Sequence, residues 1–271
     1  MKTIGVFDSG VGGLSVLRAL LAELPGQRFV YAADGGHAPY GERTPEFVSQ
    51  RTHLVTQHLR ETYAIDALVV ACNTATALAI DDLRLQYPHM PIVGVEPALK
   101  PAAALSRNGR IGVLATRGTL GSARVAALRD RLVATSPRPL HFRFQPCDGL
   151  AGAIERHDTA AIETLSARYV HELLHAGVSG DEEPIDTVVL GCTHYPFAAD
   201  LLGELSGPGV MLVETGVPVA RRTREVLGLP APEEGMTPAS TTLLSTGDPL
   251  ALADAAHRWL GLRVDAHALA V

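Results

Sequence analysis

The chain has 271 residues, enough for one large α/β domain or two compact ones, and 46% of them are hydrophobic, which supplies a sizeable core. The formal charge of −6 offers no basic face for nucleic acid or an anionic membrane, and no run of about 18 apolar residues reads as a membrane span. Met1-Lys2-Thr3-Ile4-Gly5-Val6 lacks the features of a signal peptide, and three cysteines without CxxC or Cys/His metal spacing argue against a disulfide framework or a structural zinc, so a reducing cytoplasm is expected.

Short runs rich in Val and Ile alternate with segments of helical period, the pattern of βαβ units around a parallel sheet. Ile4–Phe7 reads as a strand, followed by the turn Asp8-Ser9-Gly10-Val11-Gly12-Gly13. Leu14, Leu17, Leu20, Leu21 and Leu24 then recur at helical spacing until Pro25-Gly26. The turn does not fit G-x-G-x-x-G, and Asp8 would repel a phosphate. Substrate binding is the better reading: Ser9 and exposed N–H groups suit a substrate carboxylate, and Asp8 suits an ammonium or the tuning of a thiol, with a plain tight turn as the alternative. Phe29–Ala32 is the next strand, and Pro39-Tyr40-Gly41 beyond it is either a loop that closes over a ligand or an ordinary turn.

A helix over Pro45–Thr62 leads to the strand Ala67–Ala71, then Cys72, a helix over Thr76–Gln86 and a strand over Ile92–Val95. Further strands are expected at Ile111–Ala115, Leu140–Phe144, Thr187–Gly191 and Val210–Val213, with helices at Gly121–Ala134 and Thr159–Ala176. Pro218–Leu227 reads as a helix, Pro230–Ala239 as a loop and Pro249–Leu260 as a final helix. Glu155, in Leu150-Ala151-Gly152-Ala153-Ile154-Glu155, is most simply a helix-surface carboxylate, and Cys147 a buried apolar filler.

The chain also repeats itself. Ile65-Asp66-Ala67-Leu68-Val69-Val70-Ala71-Cys72 returns 120 residues later as Ile185-Asp186-Thr187-Val188-Val189-Leu190-Gly191-Cys192. Ile4-Gly5-Val6-Phe7-Asp8-Ser9 returns 107 residues later as Ile111-Gly112-Val113-Leu114-Ala115-Thr116. The second copy is thus 13 residues longer, in part through the Gly177–Pro184 loop. Chance likeness between buried strands explains either pair alone. Both pairs in the same order, with Cys matched to Cys, favour duplication. The expected fold is α/β, with two similar lobes, each a mainly parallel sheet flanked by helices, and the active site in the cleft between them. The first lobe is expected to span 1–96 and 210–271 and carry Cys72; the second spans 97–209 and carries Cys192.

Ligands of open α/β sheets bind outside the carboxyl ends of the strands, where both cysteines fall. Two thiols reaching one substrate from opposite sides suit racemisation, in which one base removes an α-proton and an acid returns a proton to the other face. Enantiomers have equal free energy, so no nucleotide site is needed, and no Walker-A sequence occurs. An unperturbed thiol pKa of about 8.5 leaves both protonation states accessible near neutrality. Asn73-Thr74 and Thr193-His194, directly after each cysteine, are of the right type to hold a carboxylate or steady a thiolate. Lys2 and Lys100 are the only lysines, and neither sits beside a phosphate cradle, so no lysine-anchored cofactor is expected. The rival chemistry, Cys192 as nucleophile with His194 as base, leaves Cys72 without a task.

These residues resemble those of the glutamate racemases within the aspartate/glutamate racemase family. The likeness rests on Asp8-Ser9-Gly10-Val11-Gly12-Gly13-Leu14-Ser15, Pro39-Tyr40-Gly41, Cys72-Asn73-Thr74-Ala75, Gly94-Val95-Glu96-Pro97, Ala115-Thr116-Arg117-Gly118-Thr119, Gly191-Cys192-Thr193-His194-Tyr195-Pro196 and Thr246-Gly247-Asp248. The resemblance implies a cofactor-free two-thiol mechanism and D-glutamate supply for bacterial peptidoglycan. It implies substrate contacts at Asp8, Ser9, Tyr40, Gly41, Asn73, Thr74, Thr193 and His194, with Asp8 assisting Cys72 and His194, with Glu155, assisting Cys192. A homodimer follows from the likeness alone; no nucleic-acid or membrane partner and no metal are expected. Two places depart from the family pattern: Asp34-Gly35-Gly36-His37-Ala38, where bulkier residues are usual, and Cys147-Asp148-Gly149, where Cys-Pro is. A sister racemase acting on aspartate and a binding protein that has lost its chemistry are the alternatives.

Overall fold

Val- and Ile-rich runs can be buried on both faces only in a sheet covered on both sides by helices, and the chain folds accordingly. The computed structural model describes residues 1–175, 183–233, 235–236 and 239–271. Residues 177–182 of the Gly177–Pro184 loop, the end of the Thr159–Ala176 helix at 176, and residues 234, 237 and 238 of the expected Pro230–Ala239 loop lie outside them. The chain divides into two compact units, residues 1–95 with 216–271, and residues 96–215.

The first unit runs β1 (Thr3–Asp8), α1 (Leu14–Glu23), β2 (Arg28–Ala33), α2 (Pro45–Tyr63), β3 (Ala67–Val70), α3 (Asn73–Gln86) and β4 (Ile92–Gly94). The second follows with α4 (Leu99–Leu105), β5 (Arg110–Ala115), α5 (Arg117–Leu120), α6 (Ala123–Thr135), β6 (His141–Pro146), α7 (Leu150–Glu155), α8 (Thr159–His175), β7 (Thr187–Leu190), α9 (Ala199–Ser206) and β8 (Met211–Val213). The chain then completes the first unit with α10 (Gly216–Val226), β9 (Ser240–Ser245), α11 (Pro249–Leu260) and β10 (Ala266–Ala268).

The first sheet has the order β10-β9-β2-β1-β3-β4 and the second β6-β5-β7-β8, with every ladder parallel. The four strands β2-β1-β3-β4 therefore match β6-β5-β7-β8 in order. They match in register as well: Ile4 faces Phe29 and Ala67, as Ile111 faces Phe142 and Thr187. The strand ends carry the same bonds, Ala71 N to Phe7 O and Gly191 N to Leu114 O, both 2.7 Å. A close approach to the central strand is shared too, by Ile65 just past α2 in the first unit and by Leu173 of α8 in the second. A Cβ on Gly5 would lie 2.8 Å from Ile65 Cδ1, and one on Gly112 2.7 Å from Leu173 Cδ2.

In the first unit, Phe7, Val30, Ala32, Leu68 and Val70 form one buried cluster with Val48, Val55 and Leu59 of α2 and Ile80 and Leu83 of α3. Side chains alternate along a strand, so the equally buried Ile4, Val6, Phe29 and Val69 face the other way. In the second unit Ile111, Val113, Ala115, Val189 and Val213 pack with Leu99 and Ala102 of α4 and Val125 and Leu128 of α6.

Several expectations need correction. Residues 210–215 belong to the second unit, because β8 pairs with β7 and covers what would be a bare edge. The helix expected over Thr76–Gln86 starts at Asn73, because Cys72 itself caps it. Helix α4 and strands β9 and β10 appear where the sequence showed no element.

Candidate active site

Each unit places one cysteine just past the carboxyl end of its third strand. In the first unit β3 stops at Val70, and Cys72 takes an extended conformation whose Sγ accepts the Ala75 N–H at 3.4 Å. A thiol at an N-cap is thereby fixed by backbone, with the positive end of α3 behind it. Its S–H donates to Ser9 Oγ at 3.7 Å, so the turn after β1 and the end of β3 meet. Asp8 is fully buried at the end of β1, and its Oδ2 accepts the N–H groups of Gly13 at 2.8 Å and Gly10 at 3.3 Å. A Cβ on Gly13 would lie 2.6 Å from Asp8 Cβ and 2.9 Å from Tyr31 Oη, so only glycine lets the turn wrap the carboxylate this closely. Two of the N–H groups expected for a substrate carboxylate are thus already used by Asp8.

Asn73 and Thr74 are buried in the first turn of α3. Neither Nδ2 nor Oδ1 of Asn73 has a hydrogen-bond partner among the described residues. A buried amide left without partners is costly, and a bound carboxylate and ammonium would satisfy both atoms. Tyr40 is also buried, in the same cluster as Cys72, but its hydroxyl donates to Asp34 Oδ2 at 2.6 Å. Gly41, beside it, is partly exposed.

In the second unit β7 ends at Leu190 and Cys192 follows, buried, with Thr193 and His194. His194 stands between two groups: Nδ1 lies 3.7 Å from Cys192 Sγ and Nε2 lies 2.6 Å from Glu155 Oε2. Burial opposes a charge on His194, but the hydrogen bonds and charges of Cys192 and Glu155 outweigh it and hold the imidazolium well above its ordinary range. Glu155 is accordingly no simple surface carboxylate. It is the last residue of α7, half-buried and bonded to the histidine. Cys147 N–H donates to Ala115 O, the place in the repeat that Asp34 holds opposite Asp8, and burial pushes its thiol well above the usual range. That fits a filler. None of the three cysteines forms a disulfide.

One cluster includes Tyr40, but its other members carried no role in the sequence. Asp34 accepts from Arg51 Nε at 2.9 Å and Nη2 at 2.8 Å, from Tyr40 Oη and from Thr246 Oγ1 at 2.7 Å. The available signal was the Thr246-Gly247-Asp248 match, which carried no assigned task. The glycines at 36 and 247 also have a reason: a Cβ on Gly36 would lie 2.8 Å from Thr246 O, and one on Gly247 2.9 Å from Gly36 N.

A family model described as Asp/Glu/Hydantoin racemase matches residues 4–221. The chain is 51% identical over 227 residues to the glutamate racemase of Ectopseudomonas mendocina, covering 83% of this chain and 82% of that one. The glutamate racemase isoform RacE1 of Bacillus anthracis superposes with a TM-score of 0.85 at 28% identity, over 100% of this chain and 98% of that one. The Escherichia coli glutamate racemase, solved with L-glutamate and the activator UDP-MurNAc-ala, gives 0.78 at 31% identity, over 99% and 98%. With two thiols at matched strand ends and a family model covering most of its length, the chain belongs to the Asp/Glu/hydantoin racemase family.

Proposed function

We propose that the chain interconverts L- and D-glutamate without a cofactor, Cys72 and Cys192 exchanging the α-proton, and so supplies D-glutamate for peptidoglycan. The observation that carries the reading is the pair of thiols at matched strand ends, each with its own polar partners. In one direction a thiolate takes the α-proton, and the C–H electron pair moves into the substrate carboxylate. The other thiol delivers its proton to the opposite face, leaving the two sulfurs with exchanged protonation states. Ser9 and Asp8 serve the Cys72 side, and His194 with Glu155 serves the Cys192 side as a relay for the proton. Asn73, Thr74 and Thr193 hold the α-carboxylate and ammonium, where hydrogen bonds that strengthen as charge develops lower the barrier.

The described residues contain no helix long and apolar enough to cross a membrane. Free thiols as catalysts suit a reducing cytoplasm. The homodimer expected from family likeness is checked by sedimentation. The activity is tested with single-enantiomer glutamate in D₂O, following optical rotation and α-deuterium. Racemisation with deuterium incorporation is expected, and Cys72→Ala or Cys192→Ala is expected to reduce the racemisation by about 10²–10⁴-fold or more. Exchange with aspartate alone would move the substrate, and exchange with neither would overturn the reading.

A further inference from the structure

Asp34 is fully buried at the end of β2, yet three of the groups that bind it come from elsewhere in the first unit: Arg51 from α2, Tyr40 from the loop after β2, and Thr246 from just beyond β9. Its Oδ1 also lies 3.0 Å from His37 Nδ1. Arg51 grips both carboxylate oxygens and donates a third hydrogen bond to Val271 O at 3.1 Å. Thr246 uses its hydroxyl twice, donating to Asp34 and accepting the Gly36 N–H at 3.2 Å. The loop of residues 34–41 is thus pinned at its start by Thr246 and at its far end by the Tyr40 phenol on Asp34.

The Tyr40 ring packs against Phe7 and Phe47, with centroids 6.2 and 6.4 Å apart, in the cluster that holds Cys72. A phenol this enclosed, donating to a buried carboxylate, is not presented to a ligand. Burial opposes ionisation of Asp34, but the bonds from Arg51, Tyr40 and Thr246 and the Arg51 charge hold its carboxyl below the usual range. It therefore stays an acceptor at all pH values at which the protein would work.

We propose that Asp34, held by Arg51 and Thr246, is a positioning residue for the Cys72 half of the site: through the Tyr40 strut it fixes Pro39-Tyr40-Gly41 beside Cys72, so that the loop's main chain at Gly41, and not the phenol, meets the substrate. This rests on the racemase reading for its substrate, and the anchor itself is read from the loop and from Cys72.

Asp34→Asn leaves Arg51 buried without a counter-charge and costs stability, so Tyr40→Phe and Thr246→Val carry the test. Each is expected to raise KM for glutamate about tenfold with kcat within about twofold, because a displaced loop weakens binding more than proton transfer. The double variant is expected to be no worse than the poorer single one, since both break one anchor, and Thr246→Ser, which keeps the hydroxyl, restores KM. A second arm needs no substrate: iodoacetamide alkylation resolved by peptide mapping is expected to speed up at Cys72 and not at Cys192 in both variants. If the wild type does not racemise glutamate but Cys72 alone becomes more reactive, the anchor stands and the substrate falls. Multiplying effects of Tyr40→Phe and Thr246→Val on KM, which would mean that the phenol binds substrate directly, would overturn the proposal. So would unchanged alkylation at Cys72 in both variants.

Discussion

His194 carries two neighbours that pull in the same direction. A carboxylate on Nε2 and a sulfur near Nδ1 stabilise its charged form against the cost of burial, so its folded pKa lies well above the ordinary 6.5. A raised folded pKa means that the stabilisation is fully present below 6.5 and is lost as pH rises through the elevated value, so it fades only on the alkaline side. Nitrogen NMR of the ring is expected to show both nitrogens protonated at neutral pH. Glu155→Gln is expected to bring the titration down and to shift the alkaline limb of activity to lower pH; an unmoved limb would remove Glu155 from the relay. Both cysteines, His194 and the turn after β1 were legible in sequence because each lies within a few residues of a strand end. Asp34 also directly follows a strand, but its role was not legible, because its partners Arg51 and Thr246 stand 17 and 212 residues away.

The elements that set the thiols in place differ between the copies in one instructive respect. Cys72 opens a long helix and caps it, whereas Cys192 is followed by a short 3-10 turn, Tyr195–Ala198. The three-residue error at the start of α3 follows from this: cysteine is not among the preferred N-cap residues, so no cap signal marks position 72. Strand β9 was illegible for a similar reason. Its Ser240-Thr241-Thr242 start is polar and follows a Pro-rich stretch, and only Leu243 to Ser245 are buried. Gly191 shows how tightly the second strand end is built, since a Cβ there would lie 2.9 Å from both Ala115 Cβ and Leu114 O. Gly191→Ala is therefore expected to destabilise the fold by about 1–3 kcal/mol in chemical denaturation and to displace Cys192, lowering activity as well. A change under about 0.5 kcal/mol, the range of a neutral surface substitution, would show that the strand end can relax.

At the scale of the molecule, two four-stranded frames of one order and register carry unlike chemical equipment: Asp8 and Ser9 beside one thiol, an imidazole and a carboxylate beside the other. A single-thiol variant retains one base and can still exchange the α-proton on one face of the substrate without inverting it. Cys72→Ala and Cys192→Ala are therefore expected to wash deuterium into opposite enantiomers of glutamate. Both acting on the same enantiomer would contradict one thiol per face. The repeat was readable because both copies kept their strand sequences. Strands β9 and β10, which extend only the first sheet, lie outside it.

That extension has a consequence for the timing of synthesis. Asp34 emerges early, but the hydroxyl of Thr246 follows 212 residues later, roughly 10–40 s at ordinary elongation rates. All four strands of each frame have been made before then. The nascent chain therefore carries both thiols on finished strands while the loop proposed to meet the substrate still waits for its last tether, and that loop is held in place only once Thr246 has been made.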